Sequence, residues 1–313
     1  MGGIIKSEED KFRFRFLQGQ VVLNYTEWKV PEDNYLDFNF QGIQAHNFVI
    51  TGGTEQIALI TTVKDSTISV EFQNLQLSSL TRVVRGVMPA NGKLNGNLKF
   101  TTSAQGRFNS KLQIDRLEVL EQPYGDLTLA MSHAGNRYGI DLQIKNEDSN
   151  LKAEGFYLSD ETISEFNLSV KLSPLNLKLI EPLSYGHLKN VKGIAVGDLH
   201  ISGNFKKPVI RGKITFQDAS FKSTYVNNTF FLTNEAISFE ESGIAFNDFT
   251  INDSKKNEAV IDGDILTRTY KEFRFNLRLT AKNFQLLNTT AEDNKLFYGK
   301  VKVNTVTRIT GNS

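Results

Sequence analysis

The chain predicts an all-β protein, and three observations carry the prediction. Apolar and polar residues alternate in short segments, with no sustained helical period. Glycine, proline and asparagine clusters punctuate those segments at the spacing of turns. A glycine-marked pair of strands, GIAVGDLHISGNFKKPVIRGKITFQDASF from Gly193 to Phe221, recurs elsewhere in the chain. In that unit Leu199 and Ile201 alternate with Asp198, His200 and Ser202. Gly203 to Pro208 forms a turn, and Ile210, Ile214 and Phe216 share one face beyond it. Gly92, Gly96, Leu98 and Phe100 repeat Gly193, Gly197, Leu199 and Ile201 at one offset. Leu112, Ile114 and Val119 repeat Ile214, Phe216 and Phe221 one residue later.

Taken in order, Lys11 to Phe16 places Phe12, Phe14 and Phe16 on one face and Lys11, Arg13 and Arg15 on the other. Val21 to Tyr25 is a second strand, and Pro31 to Asn34 is a turn. Leu36, Phe38 and Phe40 follow, then Gly42 turns the chain into Ile43, Phe48 and Ile50. Gly52-Gly53 leads to Ile57, Leu59 and Val63. Ile68, Val70 and Phe72 alternate, and Leu75 and Leu77 follow after a one-residue phase shift, the mark of a bulge. Ser78 to Met88 is the place for a short helix or crossover. Pro123 to Asp126 is taken as a turn before Leu127, Leu129 and Met131. Gly135-Asn136 precedes Tyr138, Ile140, Leu142 and Ile144. Phe166, Leu168, Val170 and Leu172 continue, with Pro174 bending the chain before Leu175 and Leu177. Later strands carry Phe230 and Leu232, Ile237 and Phe239, Phe246, Phe249 and Ile251. After the polar turn Asn252–Asn257, Ile261 and Ile265 flank Gly263. Phe273, Phe275, Leu277 and Leu279 form the longest clean alternation.

Longer-range matches give a period of roughly 100 residues, the size of a block of several strands. Val70, Leu75 and Leu77 match Val170, Leu175 and Leu177. Phe38, Gly42, Ile43, Phe48 and Ile50 match Phe239, Gly243, Ile244, Phe249 and Ile251 at about twice that offset. The expected organisation is one continuous β-structure over 1–313 with approximate repeats 11–120, 121–220 and 221–313. Repeats without a polar cap at either end lead us to expect a piece of a longer chain.

Composition narrows the function. The 36 Lys and Arg nearly cancel the 35 Asp and Glu, which gives no reason to expect a nucleic-acid partner. There is no cysteine, so disulfides, thiolate metal sites and cysteine nucleophiles are excluded. Phe stands at 23 against 9 Tyr and 1 Trp, and rings without a polar handle need a dry surface. No run has the length of a membrane-spanning helix, and charged residues after Met1-Gly2-Gly3 exclude a signal peptide there. His46, His133, His187 and His200 are scattered without metal-ligand spacing. No P-loop, nucleophile elbow or dinucleotide fingerprint is found, and no spacing selects a catalytic carboxylate pair. The reading is of a non-enzyme without metal or cofactor. The Phe and Leu rows fit either a closed sandwich core or an open sheet whose apolar face receives a ligand.

The motifs, in order, resemble the TamB branch of the AsmA-like envelope proteins. The resemblance rests on Gly193, Gly197-Asp198-Leu199, Ile201 and Gly203, then Pro208, Ile210 and Gly212. It continues through Ile237-Ser238-Phe239, Gly243-Ile244, Phe249, Ile251, Asp253-Ser254 and Asp262-Gly263-Asp264-Ile265. It ends with Asn283-Phe284, Leu286-Leu287-Asn288, Asp293-Asn294, Leu296, Tyr298-Gly299 and Ile309-Thr310-Gly311. Trp28, Val30-Pro31, Asn34, Leu36 and Phe38 fit the same style.

The resemblance implies an elongated, mainly antiparallel twisted sheet curled into an open, U-shaped hydrophobic trough. It implies a segment of a periplasmic bridge conducting phospholipids between inner and outer membranes, with the inner-membrane anchor on a segment this chain lacks. The alternative it implies is a scaffold for assembling outer-membrane β-barrels, with a barrel protein as partner. Phospholipid acyl chains would then meet Ile68, Val70, Phe72, Leu98, Phe100, Leu168, Val170, Leu172, Leu199, Ile201, Ile214, Phe216, Phe273, Phe275, Leu277 and Leu279.

Overall fold

The computed structural model describes all residues except 1, 9, 19–20, 24–25, 41, 64–66, 82–88, 102–106, 161–163, 293–297 and 313. The first strands are β1 (Gly3–Glu8), β2 (Lys11–Phe16), β3 (Val21–Leu23), β4 (Thr26–Trp28), β5 (Tyr35–Asn39) and β6 (Gly42–His46). Then come β7 (Phe48–Gly52), β8 (Glu55–Val63), β9 (Thr67–Gln76), a five-residue helix α1 (Leu77–Thr81), β10 (Ala90–Thr101), β11 (Arg107–Val119), β12 (Gln122–Ala134) and β13 (Arg137–Lys145). The rest are β14 (Asn150–Ser159), β15 (Ser164–Asn176), β16 (Leu188–Asn204), β17 (Lys207–Ser223), β18 (Asn228–Glu240), β19 (Gly243–Asn252), β20 (Glu258–Leu266), β21 (Arg274–Thr289) and β22 (Gly299–Asn312). Two 3-10 turns, Leu177–Ile180 and Pro182–Ser184, stand between β15 and β16.

The all-β expectation holds. β7 to β22 form one sixteen-stranded ladder in chain order, with β7 and β22 at its two ends, so the sheet is not closed into a barrel. Sequential strands pair antiparallel because short turns connect them. β1, β2, β5 and β6 make a separate four-stranded sheet, and β3 with β4 a small hairpin. The chain divides into two compact units, residues 1–146 with 156–163, and 147–155 with 164–313.

In the first unit, strand register lines apolar residues into rows. One row runs Ile57, Phe72, Gly96, Leu112, Leu129 and Leu142. The next runs Leu59, Val70, Leu98, Ser110, Met131 and Ile140. Intervening residues such as Glu71, Asn97, Lys111 and Asp141 point the other way, as period two requires. The β3–β4 hairpin covers part of the apolar face. Val21, Trp28 and Val30 pack with Ile50, Leu75 and Leu94 in a cluster where Trp28 is 1% exposed.

The second unit repeats the arrangement. One row is Leu172, Gly197, Ile214, Ile237, Phe246, Gly263, Leu277 and Ile309; its neighbour is Val170, Leu199, Gly212, Phe239, Ile244, Ile265, Phe275 and Gly311. The opposite face carries Lys171, Asp198, Lys213, Ser238, Ala245, Asp264, Asn276 and Thr310 in register.

Several local expectations change. The turn expected at Pro123–Asp126 falls earlier, at Leu120-Glu121, and Pro123 to Asp126 lie inside β12. Both turn residues are left-handed, with φ of 51° and 65°, the geometry that matches hairpin twist, yet neither is Gly or Asn. Of the segment expected as helix or crossover, α1 accounts for the start, and residues 82–88 lie outside the described residues. The same holds for residues 24–25 of the second strand and for Asp293, Asn294 and Leu296. Phe273 immediately precedes β21 rather than belonging to it.

Candidate functional site

The candidate site is the apolar face, and its chemistry begins with how strands keep that face continuous while they bend. Several strands step three residues between consecutive inward positions instead of two. Four such steps are Phe72 to Leu75, Ile114 to Leu117, Phe246 to Phe249 and Ala281 to Phe284. Each contains one left-handed residue: Asn74, Arg116, Asp248 or Asn283. Such a bulge frees a backbone N–H from the ladder and increases local twist. In each case a side chain on the next strand accepts it. Asn74 donates to Asn95 Oδ1 (2.8 Å), Arg116 to Asp126 Oδ1 (2.9 Å), Asp248 to Asp262 Oδ1 (2.8 Å) and Asn283 to Asn304 Oδ1 (2.7 Å). The strand therefore bends without turning its apolar residues to the polar side and without leaving a buried donor unpaired.

Register brings most of the predicted residues together within each unit. In the first, Ile68 faces Phe100 and Val70 faces Leu98, with Phe72 in the adjoining row. Phe100 also faces Phe108, ring centroids 5.1 Å apart. In the second, Leu168 faces Ile201 and Val170 faces Leu199; Leu172, Ile214 and Leu277 share one row, and Phe275 lies in the next. Phe216 faces Ala195, and Leu279 faces Ile261. Phe273 stands outside these rows, beside Glu240, Glu241 and Glu272 at one end of the sheet.

Among the sixteen, only Ile68 and Leu172 are buried; Phe100 is exposed and the others are half-buried. A closed sandwich would bury both of its inner faces. Sequence reasoning left several equivalent residues out of the site. Leu129, Met131, Ile140 and Leu142 on β12 and β13, and Ile237, Phe246, Phe249 and Ile261 on β18 to β20, continue the same rows. Their alternation was visible in the sequence; their shared face needed the register. Phe249 packs edge-on against Phe246 (5.4 Å, 85°) and Phe216 (6.4 Å, 87°), joining β19 to β17.

One end of the second unit is tied by a buried carboxylate. Asp253, 1% exposed, immediately follows β19 and accepts from the backbone N–H groups of Lys255 (2.8 Å), Asn257 (2.9 Å) and Gln285 (2.9 Å), and from Asn257 Nδ2 (2.8 Å). Burial alone pushes its pKa up. The Asn257 side chain and the backbone donors outweigh burial and hold it below the usual carboxylate range. Asn288 N–H donates to Val226 O (2.9 Å), and Phe230 stacks on Phe284 (5.8 Å, 10°), so β18 and β21 meet beyond the β19–β20 turn. In the first unit, Arg13 grips Asp37 with two nitrogens (2.6 and 2.8 Å) and Lys11 adds a third contact (3.1 Å).

Polar chemistry on the apolar face is sparse. Ser110 Oγ is buried there without a hydrogen-bond partner. His46, His133 and His187 stack on Tyr35, Tyr138 and Tyr225, and His200 faces Ser169 and Arg211 in register. Among the described residues no group of His, Asp and Glu has the arrangement of a metal site. Among them, too, no helix is long and apolar enough to cross a membrane.

Searches of curated proteins and of solved structures returned no match. Residues 247–312, which hold the second half of β19 and β20 to β22, match the family model of the TamB C-terminal domain, so this part of the chain is similar to that domain.

Proposed function

We propose that this chain is a segment of a periplasmic conduit in which phospholipid acyl chains lie against the apolar rows while headgroups stay in water. The TamB family serves lipid or protein transport in the cell envelope, and the reading narrows that role to lipid. The observation that carries it is the continuous apolar face within each unit, most of whose predicted residues are not buried. Each methylene exposed to water costs about 0.8 kcal/mol, so a lipid leaving a bilayer unaided meets a large barrier. A face that resembles the bilayer interior removes that barrier without a reactive group.

Photo-crosslinking residues at Phe275 and Leu277 capture phospholipid, and the same residues at Arg274 and Asn276, on the opposite face, do not. Leu277→Glu, which places a carboxylate between Gly263 and Ile309, blocks transport while the protein stays folded. Capture that ignores the alternation sinks the assignment of faces, and unfolding without capture favours a closed core. A second reading is strand addition to a nascent outer-membrane barrel. It is favoured by β22, fourteen residues long at the end of the ladder, which could pair with an incoming strand. Crosslinks from β22 to a barrel strand, with no lipid captured on the apolar face, would select it.

A further inference from the structure

The chain is nearly neutral as a whole, at +1, but its charge is not evenly spread. Between Phe273 and Ala291 there are Arg274, Arg278 and Lys282 and no acid; between Tyr298 and Ser313 there are Lys300, Lys302 and Arg308 and no acid. These segments are β21 and β22. Register places Arg278 directly opposite Arg308, and Lys302 opposite Gln285, on the face away from Phe275 and Leu277. Lys300, opposite Asn288, shares that face with Lys302 and Arg308 by period two, and Lys282 sits at the β21 bulge. Two arginines facing one another repel, so their placement costs stability unless an anion joins them. Arg308 donates to Asn276 Oδ1 (3.2 and 2.7 Å), a neutral partner. Among the described residues no carboxylate lies within ion-pair distance of Arg278, Lys282, Lys300, Lys302 or Arg308. The adjoining Asp262, opposite Arg278, has one oxygen taken by the Asp248 N–H. Arg274 is set apart, beside Glu240, Glu241 and Glu272.

Exposed apolar residues are mixed into this basic surface. Val306, 64% exposed, lies between Arg308 and Asn304 on the same face; Tyr298 and Leu286 are exposed farther along the hairpin, toward Lys300 and Lys302. A depression of about 510 Å³ opens beside Val306, lined by Asp262, Asn276, Arg278 and Arg308 among others. Cations for phosphates, with aliphatic and aromatic groups that enter the headgroup layer, make up the composition of a membrane-surface contact.

We propose that the polar face of the β21–β22 hairpin docks on an anionic phospholipid surface. Arg278, Arg308, Lys300 and Lys302 contact headgroup phosphates, and Val306 enters the interface. This contact uses the face opposite the proposed acyl-chain rows, so it stands or falls separately from the conduit reading.

The test is flotation of the full chain with phosphatidylglycerol-containing vesicles and with pure phosphatidylcholine vesicles, over a salt series. The chain binds the anionic vesicles, releases as salt rises, and does not bind the neutral ones. R278Q/K302Q/R308Q, checked for an unchanged melting curve, weakens partitioning on the order of 100-fold, since each cation near an anionic surface contributes about 1 kcal/mol. R278K/R308K, which keeps the charge, retains binding. Leu277→Glu leaves vesicle binding intact even where it abolishes lipid capture on the other face. Equal binding to both vesicle types, or binding that ignores the triple substitution, overturns the proposal. Binding to polyglutamate but not to vesicles overturns it in favour of an acidic protein partner.

Discussion

At Asp253 a single carboxylate replaces the ladder. Four donors converge on it from its own turn and from β21, so the turn between β19 and β20 is tied to β21 by a side chain in addition to the β20–β21 ladder. The sign of its pH dependence follows from its depressed pKa. The stability it contributes is fully present above the unfolded value of about 4 and is lost as pH falls through the lower folded value. Asp253→Asn keeps the size but turns one acceptor into a donor aimed at N–H groups. We expect a loss of about 1–3 kcal/mol at pH 7 in urea unfolding, shrinking toward acid as the wild-type carboxylate protonates. A loss of the same size at pH 7 and in strong acid would show that the charge is not what matters. None of these partners was visible in the sequence. Asp253 stood in a polar turn, and its bond to Gln285 spans 32 residues.

Individual strands were far more legible. Period-two alternation depends only on neighbouring residues, so rows such as Phe275, Leu277 and Leu279 could be read directly, and so could the phase shift before Leu75. The turn at Leu120-Glu121 escaped because its left-handed backbone is imposed by the paired strands rather than announced by Gly or Asn. The Asx acceptors of the bulges escaped because each lies on the following strand, 10 to 21 residues away. At some of the positions matched in sequence the local structure is alike. α1 begins at Leu77 and the first 3-10 turn at Leu177, each two residues after a matched leucine; Asn47 and Asp248 are both left-handed.

The glycines of the recurrent unit act at this scale. A Cβ on Gly197 would lie 2.2 Å from Lys213 O, and one on Gly212, whose φ is +132°, would lie 2.1 Å from Asp198 O. The pair lets β16 and β17 approach where Leu172, Ile214, Leu199 and Phe239 flank them. Gly197→Val and Gly212→Val should each cost at least about 2–3 kcal/mol, because backbone must move, while Lys213→Val, on the exposed face, should stay within about 0.5 kcal/mol. Equal melting temperatures for the three variants would remove the close approach as the reason for these glycines.

For the molecule as a whole, chain-order pairing makes stability a nearest-neighbour matter. Strand n is held mainly by its two adjacent strands, and the two compact units each keep their own apolar cluster. Such a ladder has no single core whose loss unfolds everything, so local openings differ in free energy along the chain. Trp28 offers a clean perturbation. It is the largest buried side chain of the first cluster and touches Val21, Val30 and the β7 and β9 residues Ile50 and Leu75 rather than anything in the second. Trp28→Ala removes a ring's worth of contacts, costing about 3–5 kcal/mol locally. Native-state hydrogen exchange should then show faster exchange across β4, β7, β9 and β10, with β18 to β21 unchanged. A uniform loss of protection over all strands would mean that the ladder unfolds as one cooperative body. Protection lost only near Trp28 would instead mean that one stretch of the apolar face can open while the next stays intact. For a surface proposed to pass a lipid along its length, that independence lets the site loosen in segments without the sheet coming apart.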